Sequence, residues 1–210
     1  VDQVVHSTYQ YWLYDCTDNP VKTPNKGYRN GLNGIGVTLE SVVVDKPWEI
    51  VVLQPESTAR RYNLAKGGTF DLNLLVERIK KMMKPEVASK ARFGLMVPFS
   101  YPQGNTDYRK NVYMLYNNGV EPASQAEWDA LYEKMHHILQ SDTREIGKAM
   151  GNNCQFYVNV GLAIYNGRQD KKVSQSGYKL QRSQNNTHLS EGLAMYIASL
   201  AYASTLIDIK

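Results

Sequence analysis

The stretch WEIVVLQPES, residues 48–57, decides the fold of this chain. It is almost continuously apolar from Glu49 to Leu53, and Gln54 and Pro55 end the run. Strands that are buried on both faces have such sequences, whereas strands with one solvated face alternate apolar and polar residues. We therefore predict that Glu49–Leu53 is a strand of a parallel sheet that helices cover.

Two later stretches repeat this pattern. They are Phe93–Val97, which Pro98 ends, and Phe156–Val160. Between the strands, apolar residues recur at helical spacing from Leu72 to Met82, which predicts an amphipathic helix. The alternation of strand and helix predicts an α/β fold of three layers, αβα, and we expect residues 1–210 to form one domain.

Two further helices are predicted in the second half of the chain. Ser124 followed by Glu127 forms a capping box, and an apolar stripe at helical spacing follows it. The last helix is expected over about residues 190–206, where leucines, isoleucines and alanines recur. The stretch 165–187 is rich in Gly, Gln, Asn and Lys, and we expect it to be a long loop.

Composition excludes several classes of function. The 24 Lys and Arg residues outweigh 20 Asp and Glu by a formal charge of +4, but they are scattered, so no nucleic-acid partner is expected. No apolar run approaches the roughly 18 residues that span a bilayer, so no membrane span is expected. Cys16 and Cys154 are either buried free thiols, which we favour, or a disulfide.

The sequence predicts no cofactor and no metal. The glycines of residues 31–36 lack the spacing and the preceding strand of a phosphate-binding loop. His136 and His137 are adjacent in a predicted helix, so their side chains point about 100° apart and are poorly placed to share an ion.

Ligands bind beyond the carboxyl ends of the strands in an open parallel sheet. The candidate substrate-binding residues at these ends are Gln54, Ser57, Tyr101 and Arg168. His188 lies in the polar stretch NNTHLS, residues 185–190, directly before the last predicted helix. A histidine there is either structural or a general base that reaches the strand ends.

Fifteen tyrosines are many for this length, and several cluster in polar segments. Tyr101, Tyr108, Tyr113 and Tyr116 form one such cluster. Tyrosines of this kind fill the edge of a core or form an aromatic platform for a carbohydrate. We favour the first reading.

Three stretches in order, residues 48–57, 160–168 and 185–192, resemble a secreted bacterial family of SGNH-type hydrolases, the GDSL-like esterase and acetylhydrolase superfamily. The resemblance covers the chain from about His6 to the C-terminus. It implies a flavodoxin-like parallel sheet and ester hydrolysis, often the removal of acetyl groups from carbohydrates. It also implies an extracellular, periplasmic or cell-surface location.

The resemblance assigns roles to three of the candidate residues. His188 matches the general base, and Gln54 stands where the family places an oxyanion-hole amide, although it also reads as a strand-end cap. Asn185 stands where the family has an aspartate that orients the base. Replacing a triad carboxylate by an amide costs on the order of 10⁴ in turnover, although some members work as dyads.

The family's nucleophilic serine lies in a turn after its first strand, upstream of the region that His6 matches. The 210 residues contain no such segment, so we expect the N-terminal strand and its serine to come from an upstream fragment or a partner chain. An exposed apolar sheet edge would otherwise invite aggregation. The alternative is a catalytically inactive SGNH-like module that binds glycan or has a structural role in a larger surface assembly.

Overall fold

The computed structural model describes residues 4–5, 28–30, 36–37, 43–44, 46–55, 57–65, 72–102, 105–106, 108–175, 180, 189–190 and 192–209. The chain divides into two compact units. The first comprises Val1–Val51 and Asp71–Phe93, and the second comprises Val52–Phe70 and Gly94–Lys210. The expectation of a single domain stays a prediction.

A small antiparallel sheet lies near the N-terminus. It consists of β1 (Val4–Val5), β2 (Tyr28–Asn30) and β3 (Gly36–Val37), in that order. β2 pairs with both neighbours in antiparallel fashion. These strands were not predicted from the sequence, because two or three residues are too few to show a periodicity.

The second sheet contains the three strands that the sequence predicted. They are β4 (Ile50–Leu53), β5 (Arg92–Met96) and β6 (Phe156–Val158), in the order β4-β5-β6. β5 and β6 are parallel, with Leu95 opposite Tyr157. The fold is therefore α/β, with a small open sheet.

The described residues include eight α-helices. They are α1 (Ala59–Ala65), α2 (Asn73–Met82), α3 (Pro85–Ala88), α4 (Arg109–Tyr116), α5 (Gln125–Met150), α6 (Val160–Gln169), α7 (Lys171–Gln175) and α8 (Leu193–Asp208). The predicted helices at α2, α5 and α8 are confirmed. None of the helices in the described ranges combines the length and the apolar character that crossing a membrane requires.

The prediction of a loop over residues 165–187 is wrong for the first part of that stretch, because α6 and α7 lie there. Val160 and Ile164 are buried one turn apart, so the segment has an apolar helical face despite its glycines. Gly161 allows the first turn of α6 to lie close to the end of β5, since a Cβ there would overlap the carbonyl oxygen of Pro98. β6 consequently ends at Val158, two residues before the predicted end.

Helix α5 organises the core of the second unit. Its predicted capping box forms in part: the Ser124 hydroxyl accepts a hydrogen bond from the Glu127 amide at 3.3 Å, whereas the Glu127 carboxylate accepts one at 2.8 Å from the amide of Ala123, one residue before the N-cap. Its apolar stripe packs with α4 and the segment after β5. The buried cluster contains Tyr101, Val112, Tyr116, Trp128, Leu131, Tyr132, Met135 and Leu139.

Candidate functional site

The candidate site lies at the carboxyl ends of β4 and β5, within the second unit. The chain that follows β5 is buried there: Ser100 is 3% exposed and Tyr101 is 6% exposed. Buried polar groups need partners, and these come from two other segments of the same unit. The candidate residues are therefore held by contacts between segments that are distant in sequence.

Arg168 reaches this segment from the last turn of α6. Its Nη1 donates hydrogen bonds to the Ser100 hydroxyl at 3.1 Å and to the Tyr101 carbonyl oxygen at 3.5 Å. Burial lowers the pKa of Arg168 to about 10, so the guanidinium stays charged at neutral pH. The structure thus brings Arg168 and Tyr101 together, although Arg168 lies on a helix and not in the expected loop.

Ser57 connects the chain after β4 to two neighbouring segments. Its hydroxyl donates to the Phe99 carbonyl oxygen at 3.1 Å, and its own carbonyl oxygen accepts from the Tyr116 hydroxyl at 2.5 Å. Gln54, three residues earlier, has an exposed side chain. Gln54 is therefore open to a ligand, whereas the hydroxyl of Ser57 already has a structural partner.

The ring of Tyr101 belongs to the core, where it lies 5.2 Å from the ring of Tyr108. Little of its surface is left for a substrate, and its carbonyl oxygen accepts the hydrogen bond from Arg168 at the strand end. Tyr116 is also buried, at 3% exposure. For these two tyrosines, the structure fits the core-edge reading better than a carbohydrate platform.

Asn185 and His188 lie outside the described residues, so the roles that the resemblance implies for them stay predictions. The described residues nearest to them show how the end of their segment is held. The amide of Ser190 donates to the Leu180 carbonyl oxygen at 3.0 Å, and Leu189 is buried. The backbone two residues after His188 is therefore tied down shortly before α8 begins.

His136 is a buried titratable residue, for which the sequence suggested only the possibility of a metal ligand. It is 2% exposed and stacks on the ring of Tyr165, with centroids 3.9 Å apart. Burial lowers its pKa, and the charges of His137 and Arg168 lower it further, against the opposing effect of Glu133. The burial of His136 was predictable from its position, since it lies one residue after the apolar position Met135 and four after Tyr132.

Tyr165 completes this group by donating a hydrogen bond to Glu133, which raises the pKa of the phenol. The exposed His137 also contacts Glu133, at 3.2 Å. Over the described ranges, no group of three or more His, Cys, Asp or Glu side chains is arranged to hold a metal ion.

Cys154 carries a free thiol that is half-buried. Burial raises the pKa of this thiol, and its sulfur lies 3.8 Å from the Phe156 carbonyl oxygen. A thiol with a raised pKa is a poor nucleophile at neutral pH. Cys16 lies outside the described residues.

No protein-family model matches this sequence, and no curated protein matches it. Its fold is similar to the crystal structure of a DUF4886 family protein from Bacteroides uniformis ATCC 8492, with a TM-score of 0.59 and 16% sequence identity. The similarity covers 82% of this chain and 55% of that chain, so this chain spans about half the length of the solved structure. At this level of identity the likeness shows a common fold.

Proposed function

We propose that this chain is part of an SGNH-type esterase or deacetylase that removes ester-linked acyl groups from carbohydrates. In this proposal the sheet extends into a three-layer, flavodoxin-like arrangement. His188 is the general base, and the nucleophile is a serine outside residues 1–210. The protein would act outside the cell, in the periplasm or at the cell surface.

One observation carries this proposal. The segments after β4 and β5 are joined through the Ser57 hydrogen bond to Phe99, and Arg168 braces the second of them. They leave the exposed side chain of Gln54 at the carboxyl edge of the sheet. Ligands of parallel sheets bind at this edge, and the family resemblance independently puts an oxyanion-hole amide at Gln54.

In the proposed ester hydrolysis the serine, His188, Gln54 and Asn185 each have a separate role. The serine hydroxyl attacks the ester carbonyl while His188 accepts its proton, and the carbonyl oxygen becomes an oxyanion that the Gln54 amide stabilises by a hydrogen bond. His188 then gives the proton to the sugar oxygen as its bond to the acyl carbon breaks, and water afterwards hydrolyses the acyl-serine ester, which frees the carboxylic acid and the serine hydroxyl. Asn185 can orient His188 through a hydrogen bond but cannot stabilise its positive charge as a carboxylate does.

A second candidate function is a non-catalytic module that binds glycan or has a structural role in a surface assembly. The observation that favours it is that the hydroxyls of Ser57 and Ser100 already have partners, Phe99 and Arg168 respectively. Neither hydroxyl is placed beside a described base. In the esterase proposal the nucleophile is therefore a serine other than these two.

The test is hydrolysis of para-nitrophenyl acetate and of an acetylated oligosaccharide by the complete polypeptide as the cell makes it. We expect His188→Ala to lower turnover by about 10²–10⁴-fold, the usual contribution of a general base. His137→Ala is the matched control, since that side chain is 68% exposed. Lack of hydrolysis by the unsubstituted protein would exclude the esterase, and glycan binding without hydrolysis would support the second candidate.

A further inference from the structure

An ion pair between two partly exposed arginines of α1 and a buried carboxylate of α5 joins these helices. Asp142 is 5% exposed and lies among the apolar residues of α5. Arg61 donates two hydrogen bonds to it, from Nε and Nη2, both at 2.7 Å, and Arg60 donates one from Nη1. We name these three residues the Arg–Asp clamp.

The geometry of the clamp is specific. Arg61 engages both carboxylate oxygens, and such paired, charge-assisted bonds fix direction as well as distance. The hydrogen bond to Asp142 raises the pKa of Arg61 despite its partial burial. Arg60 shares Oδ1 with Arg61, so two consecutive residues of α1 converge on a single carboxylate.

The clamp acts on the same chain segment that carries the proposed site. Gln54 and Ser57 lie directly before α1, and Arg60 and Arg61 lie in its first turn. The segment is held at two further points, by the Ser57 hydroxyl on Phe99 and by the Tyr116 hydroxyl on the Ser57 carbonyl oxygen. The position of this segment is therefore set by its contacts with the chain after β5, with α4 and with α5.

We infer that Asp142 is a positioning residue: through Arg60 and Arg61 it holds the segment of Gln54 and Ser57 where the proposed ester hydrolysis requires it. This inference rests on the proposed function. A buried carboxylate such as Asp142 is a poor choice for stability alone, because well-packed apolar residues often replace buried ionic groups without loss. Its advantage is a fixed geometry, and a displacement of about 1 Å at a reacting centre can lower a rate about 10²-fold.

The test compares Asp142→Asn with the unsubstituted complete polypeptide by two measurements, aryl acetate hydrolysis and amide hydrogen exchange over residues 54–65. The substitution keeps the volume of the side chain and removes its charge. We expect kcat to fall by about 10–100-fold with KM within about twofold, because orientation and not binding is lost. We also expect exchange over residues 54–65 to rise while that of α5 stays unchanged.

Glu145→Gln is the matched control, since Glu145 lies on the same helix, is 51% exposed and pairs with Lys148. We expect it to change neither measurement. If Asp142→Asn does not fold, Arg61→Lys replaces it, because lysine keeps the charge but loses the paired hydrogen bonds; we expect a smaller change in the same direction.

The outcomes separate the inference from the proposed function. Lack of hydrolysis by the unsubstituted protein rejects the proposed function, and the exchange measurement then decides whether Asp142 fixes the segment. Unchanged exchange over residues 54–65 overturns the inference, whatever the activity. A loss of kcat without a change in exchange also overturns it, because Asp142 would then act by another route.

Discussion

Helices α5 and α8 differ in how well the apolar content of their sequences matches the burial of their side chains. α5 buries an apolar stripe that includes Leu131, Met135 and Leu139, and its exposed positions include Lys134 and Lys148. α8 has one charged residue, Asp208, and is otherwise mostly apolar, yet only Ala194 is buried in it. Apolar content alone therefore does not measure how much of a helix packs against the protein.

The exposed apolar side chains of α8 follow a pattern. Tyr196, Leu200 and Ile207 are 61%, 50% and 65% exposed, and they lie on one face because they are four and seven residues apart. The inner face is close-packed: a Cβ at Gly167 of α6 would come within 3.2 Å of the Ile197 side chain. α8 is thus fixed to α6 on one side and presents an apolar stripe on the other.

The strongest test of this contrast uses one residue type in both helices. Leu139 of α5 is 3% exposed and Leu200 of α8 is 50% exposed. Leu139→Ala leaves a cavity, so we expect it to lower the free energy of unfolding by about 2–5 kcal/mol. Leu200→Ala removes few packing contacts, and we expect a change of at most about 1 kcal/mol.

Urea denaturation followed by circular dichroism measures both values under identical conditions. Equal losses for Leu139→Ala and Leu200→Ala would contradict the contrast, since they would mean that the outer face of α8 is covered in solution.

A second contrast is that α5 buries a histidine, which titrates near neutral pH, whereas α8 contains no histidine. His136 faces Glu133 and His137 of its own helix and Tyr165 and Arg168 of α6. Because its pKa is lowered in the folded state, the unfolded chain binds more protons just below pH 6.5. This contribution to stability is present above pH 6.5 and is lost as the pH falls through the folded-state pKa.

We expect His136→Phe to flatten the pH dependence of unfolding in that window, since phenylalanine keeps the stack on Tyr165 but does not titrate. One proton changes the slope by at most about 1.4 kcal/mol per pH unit. Denaturation midpoints between pH 5 and 7 measure the effect. The control His137→Phe removes an exposed ring whose charge is a smaller cause of the shift than burial, so we expect it to reduce the contribution of His136 only in part. An unchanged slope for His136→Phe would show that His136 is not its source.

Whether a helix or strand could be predicted from the sequence depended on whether its burial leaves a periodic pattern. The strands β4, β5 and β6 and helix α5 were predictable, because burial on both faces or on one stripe leaves a periodic pattern. Helix α6 was not predictable, because glycine is normally unfavourable inside a helix. Its glycines are needed here because Gly161 lies close to Pro98 and Gly167 lies close to Ile197. Those contacts are tertiary and leave no local signal.

The candidate site shows a similar limit. Gln54 and Ser57 were predictable as strand-end residues, because the end of β4 is clear in the sequence. Asp142 was visible as a polar residue on the buried face, three residues after Leu139 and four before Ile146. Its partner could not be inferred, since Arg61 lies 81 residues earlier and helical spacing carries no information over that separation.

The smallest expected effect concerns how the two helices begin. Ser124 caps α5 through its hydroxyl, whereas Gly192 precedes α8 and has no side chain to do so. Ser124→Ala leaves the Glu127 amide without that acceptor, so we expect a loss of about 1 kcal/mol in the free energy of unfolding. Ser199→Ala is the matched control, because Ser199 is exposed in the interior of α8, and alanine there should change stability by no more than about 0.5 kcal/mol. If both substitutions have the same effect, the capping box contributes nothing to α5, and its long apolar stripe alone determines where that helix begins.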